Sequence, residues 1–132
     1  MVSCGQIARN DSSSELEFIA TIGQEFRIRE DMWALGITTD QNYKKQVDYI
    51  VLVPGVGFSG PEVVSRDRLE KNSIITIVRV LTAKVRFLAS PVYVIEIAGS
   101  NQFGEVEIRI RLSGDSSDPN LGLDELIYER IN

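Results

Sequence analysis

Ile74-Ile75-Thr76-Ile77-Val78-Arg79-Val80-Leu81 decides the fold, because six of its eight residues branch at Cβ. Branching at Cβ restricts χ1 and suits a pleated, half-buried surface, so this stretch predicts a strand. A second stretch, Glu105-Val106-Glu107-Ile108-Arg109-Ile110-Arg111-Leu112, is apolar at every even position and charged at every odd one. A period of two belongs to a strand with one face in a core and the other in water. Val106, Ile108 and Ile110 are therefore expected inside, and Glu107 and Arg109 outside.

Working outward, Val47-Asp48-Tyr49-Ile50-Val51-Leu52-Val53 is a further strand, apolar enough to be covered on both faces over part of its length. Glu25-Phe26-Arg27-Ile28-Arg29 and Val92-Tyr93-Val94-Ile95-Glu96-Ile97 read as strands too. Leu16-Glu17-Phe18-Ile19-Ala20-Thr21-Ile22 reads as a strand that forms a hairpin with 25–29. Residues 31–37 fit either a short helical turn capped by Asp31 or an irregular strand. Residues 62–65 read as a short strand leading to a charged turn at Arg66-Asp67-Arg68, and 84–88 as another short strand. The segment 121–131 fits a helical stripe or, preferably, a turn and a closing strand. In that strand Ile127, Glu129 and Ile131 would point inward.

Turn signals recur at roughly 8–12 residues. Residues 15–132 are thus expected to form one all-β domain of six to eight short, mostly antiparallel strands. A small SH3-like barrel or a compact sandwich fits that pattern. The stretch from Leu69 through Asn72-Ser73 to Val78 resembles the diverging turn of small SH3-like barrels, with Asn72-Ser73 where many carry Gly-Ser or Gly-Asp. The resemblance implies a barrel and carries no function.

Composition narrows the function. The chain has 132 residues, a formal net charge of -5, one Cys and no His. Without His there are no His-based triads, His metal ligands or His pH switches. A single Cys makes neither an internal disulfide nor a thiolate cage. The acidic balance argues against nucleic-acid binding by bulk electrostatics. No apolar run reaches the roughly 20 residues of a membrane-spanning helix.

Residues 1–14 lack an apolar period and read as a flexible tail. Within them, Val2-Ser3-Cys4-Gly5 resembles the sequence around the lipid-modified Cys of bacterial lipoproteins. That resemblance implies an anchor through Cys4 and a place in the periplasm or cell envelope; otherwise Cys4 is a lone thiol and the chain is cytoplasmic.

No constellation speaks for catalysis, and the chain is expected not to be an enzyme and to need no cofactor or metal. The loop Gly55-Val56-Gly57-Phe58-Ser59-Gly60 lacks the Lys and the following helix of a phosphate-binding loop. It presents Phe58 either to a partner or to the core edge. Arg66 and Arg68 suit a carboxylate or phosphate, or else belong to a solvated turn. Glu105 and Glu107 share their face with Arg109 and Arg111, as in a salt-bridged exterior. Asp115, Asp118 and Asn120 miss the EF-hand pattern. Trp33, the sole Trp, is either a core plug or a ligand platform. The expected function is a non-catalytic binding module for another protein, of envelope-anchored, inhibitor or immunity type, using Phe58, Trp33, Arg66 and Arg68. The alternative is a small-molecule or glycan-binding barrel with its mouth near Trp33 and Phe58.

Overall fold

The computed structural model describes residues 8–40, 42–55, 59–85 and 89–131. These residues contain nine strands and no helix. In chain order they are β1 (Arg9–Asp11), β2 (Glu25–Ile28), β3 (Met32–Ile37), β4 (Tyr49–Pro54), β5 (Val63–Leu69), β6 (Ile74–Ala83), β7 (Val92–Ile97), β8 (Ile108–Arg111) and β9 (Tyr128–Arg130). They form one mixed sheet in the order β5-β3-β4-β8-β7-β6-β2-β9, with β1 also beside β6. The ends of that order, β5 and β9, do not pair, so the sheet curls around a core without closing. The pairings are antiparallel except for β4 against β8, which is parallel. The chain is thus all-β, in a sandwich-like or barrel-like arrangement.

The ten residues of β6 organise the sheet. One side pairs with β7; the other takes β2 along its first half and β1 along its last. Its register against β7 shifts between Ile77 and Arg79, leaving Val78 as an extra residue. Such a bulge bends a strand and increases its twist. At the bulge, Gly23 N–H donates to Ile77 O at 2.7 Å and Ser12 N–H donates to Val80 O at 2.8 Å. The segment between β1 and β2 is thereby pinned to β6 at both ends.

The inward face carries the main core, including Phe26, Ile28, Ile75, Ile77, Val80, Tyr93, Ile95 and Ile110. Each such side chain contributes about 1.5–3 kcal/mol by leaving water. Phe26 and Tyr128 meet edge to face, with ring centroids 6.5 Å apart. The buried Tyr93 hydroxyl donates to Leu121 O at 2.6 Å, and burial pushes its phenol well above the usual range. The opposite face carries two smaller clusters, Leu35, Ile37 and Val51, and Leu81, Val92 and Val94. Ile50, Val51 and Leu52 are all buried, so β4 is covered on both sides, as its apolar run predicts.

Several expectations are corrected. The flexible tail expected over residues 1–14 does not hold for residues 9–12. Arg9, Asn10 and Asp11 pair with Ala83, Thr82 and Leu81, and Ser12 is buried with its Oγ 2.6 Å from Thr82 Oγ1. Backbone and hydroxyl hydrogen bonds hold this segment, and they leave no apolar period to read. Residues 1–7, with Cys4, lie outside the described residues. Residues 16–22 form turns instead of a strand, with Phe18 buried while Leu16 is 92% exposed and Ile19 58% exposed. Their hydrogen bonds are local, such as Ile19 N–H to Glu15 O at 2.9 Å. In the stretch 31–37 the irregular strand is the form adopted, as β3 (Met32–Ile37), with no helical turn after Asp31. Arg66, Asp67 and Arg68 lie within β5 and not in a turn. The closing strand exists, but Tyr128 points inward, while Glu129 pairs outside with Arg27 at 3.2 Å. Of the short strand expected at 84–88, residues 84 and 85 form a bend and 86–88 lie outside the described residues.

Candidate functional site: an arginine-bearing sheet face

Residues directly opposite each other in a ladder share a face of the sheet. The pair registers therefore trace rows across strands distant in sequence. One row on the outer face runs Arg66, Leu35, Val51, Arg109, Val94 and Arg79, crossing β5, β3, β4, β8, β7 and β6. In a neighbouring row Arg68 stands opposite Trp33 and Trp33 opposite Val53. Arg111 stands opposite Val92, Val92 opposite Leu81, and Leu81 opposite Asp11 of β1, which brings Arg9 to the same face. Arg9, Arg66, Arg68, Arg79, Arg109 and Arg111 thus share one face of a chain whose net charge is -5. The carboxylates of Asp11, Glu25, Glu96, Glu107 and Glu129 lie there too, with Arg27 beside Glu129, and Asp31 reaches its edge.

The middle of the face is tightly built. The Arg109 guanidinium lies 4.1 Å from the centre of the Tyr49 ring, a cation–π contact. Its Nε donates to Glu107 at 2.6 Å, and Arg79 donates to the other Glu107 oxygen at 2.9 Å. Arg9 donates to Ser90 O at 2.9 Å. Burial, and then the like charges of Arg109 and Arg111, lower the Arg9 guanidinium from its usual value. Crowded cations of this kind favour an anion nearby.

At the β5 end, Arg68 is ion-paired with Asp31, whose other oxygen accepts the Lys71 N–H at 2.8 Å. These two donors, Lys71 first, hold the Asp31 carboxyl below the usual range. Trp33 is half-buried and packs with Tyr49, Val53 and Val63 against Leu35, Ile37 and Val51. It is neither a core plug nor fully exposed. Where the outer face meets the connection from β7 to β8 there is a cleft of about 630 Å³, lined by Val78, Val94, Phe103, Arg79, Glu96 and Glu105 among others.

The structure therefore brings Trp33, Arg66 and Arg68 together, while Phe58 and Cys4 fall outside the described residues. Sequence reading missed Arg9, Arg79, Arg109, Arg111 and Tyr49 as parts of one surface. Alternation assigns Arg109 and Arg111 to an outer face, but nothing local reveals that β8 lies beside β4. The Asp115, Asp118 and Asn120 loop is internally satisfied. Asp118 Oδ1 accepts the N–H groups of Asn120 and Gly122, and the buried Asn120 amide donates to Leu123 O and Tyr128 O.

Comparison with protein families, with curated proteins and with solved structures gives no match for this chain. No helix among the described residues is long and apolar enough to cross a membrane.

Proposed function

We propose that the chain is a non-catalytic binding module whose outer sheet face receives another protein with an acidic surface. One observation carries this reading: six arginines gather with Trp33 on one face of a chain of net charge -5. Arg and Trp are the residue types that most often anchor interfaces, and a local field opposite in sign to the whole protein orients an approaching partner. A lipid on Cys4 would hold the domain at the cell envelope, which intact-mass measurement of protein from the native membrane checks directly.

The test uses Trp33 fluorescence, since no other Trp contributes. Polyglutamate should bind, and binding should weaken as salt rises. Arg66→Glu with Arg68→Glu should weaken it at least tenfold, about 1.4 kcal/mol. Absence of polyglutamate binding at low salt, or tighter binding of single-stranded DNA, would refute the reading. The cleft of about 630 Å³ favours a second reading, a small-molecule or glycan site. Saccharide titrations that shift the amide signals of Gln102 and Phe103 would support it, and unchanged signals would remove it.

A further inference from the structure

We infer that the partner of this face arrives as an extended acidic segment that adds to the sheet along β5. The inference rests on the binding-module reading and names its mode. β5 is the terminal strand of the sheet and pairs with β3 alone among the described strands. It is seven residues long, whereas β9 at the opposite end has three. A long edge strand presents backbone groups to any strand able to pair with it. The edge already attracts a donor: the side-chain amide of Gln102, from the connection between β7 and β8, donates to Arg68 O at 3.4 Å. An added strand would offer a backbone N–H in that position.

The charges on β5 select the occupant. Side chains directly opposite Arg66 and Arg68 on an added strand would share their face, so carboxylates two residues apart would stand beside both guanidiniums, competing with Asp31 for Arg68. A second copy of β5 is disfavoured. The antiparallel register that uses all seven residues sets Arg66 against Arg66 of the other copy, and like charges repel. Exposed Arg66, Asp67 and Arg68 therefore keep the edge from joining its own kind while leaving it open to an acidic strand.

The experiment compares two synthetic peptides on the full chain. One alternates Asp and Thr; the other has the same sequence with every backbone nitrogen methylated, which keeps the charge and removes the donors from both edges. The unmethylated peptide should bind with salt-sensitive affinity and slow hydrogen exchange at β5 amides at least tenfold. Methylation should weaken binding at least tenfold, and so should Arg66→Glu. Equal binding of both peptides would overturn strand addition and leave the charged-face reading standing. No binding of either peptide, with polyglutamate still bound, would overturn the inference alone. Failure of peptides and polyglutamate together would end both.

Discussion

Asp31 ties β3 to the end of β5. Its two oxygens take the Lys71 N–H and the Arg68 guanidinium, and its carboxyl sits below the usual range for that reason. Folding therefore favours its ionised form. Its contribution is complete above the unfolded value of about 3.9 and is lost as pH falls through the lower folded value. Asp31→Asn should flatten the acid limb of the stability curve below about pH 4, followed by urea denaturation at several pH values; an unchanged slope would contradict the pairing. Gly36 is a second sensitive position. A Cβ there would come within 2.8 Å of Val47 Cγ2 and strike the Ser65 side chain, at the point where the β3–β5 register shifts. Gly36→Ala should cost roughly 1–3 kcal/mol, as overpacking does. An unaltered denaturation midpoint would show that β5 lies elsewhere.

β1 is three residues long, yet it closes the last half of β6, and Ser12 behind it is buried against Thr82. Deleting residues 1–12 should lower stability by about 2 kcal/mol, read by thermal melting, because several β6 backbone groups lose partners. No change in melting would mean the pairing does not form. In β8, Ile110 is fully buried and Arg111 exposed. Ile110→Ala should cost about 2–5 kcal/mol and Arg111→Ala about 0.5 or less. Equal effects would invert the strand. Strands such as β4, β6, β7 and β8 were legible because alternation or dense β-branching is a local signal. β1 was not, since Arg9-Asn10-Asp11 is held by backbone pairing. Residues 16–22 were misread because their apolar content suits a strand while their hydrogen bonds close into turns. Trp33, Arg66 and Arg68 were legible as residue types. Their junction with Arg79 and Arg109 was not, because it depends on the parallel β4–β8 pairing between segments far apart in sequence.

At the scale of the molecule, the sheet order sorts charge. A chain of net charge -5 presents arginines from β1, β5, β6 and β8 on one face, over a second set of buried apolar residues. That arrangement exists only if β8 lies between β4 and β7, as the row from Arg66 to Arg79 requires. Mapping polyglutamate binding by backbone and arginine side-chain NMR shifts tests it most directly. The expected result is a continuous patch comprising the Trp33 indole N–H and the guanidinium signals of Arg66, Arg68, Arg79, Arg109 and Arg111, fading as salt is added. Shifts scattered over both faces, or confined to Arg27, Arg29 and Arg130 at the β2–β9 end, would contradict it.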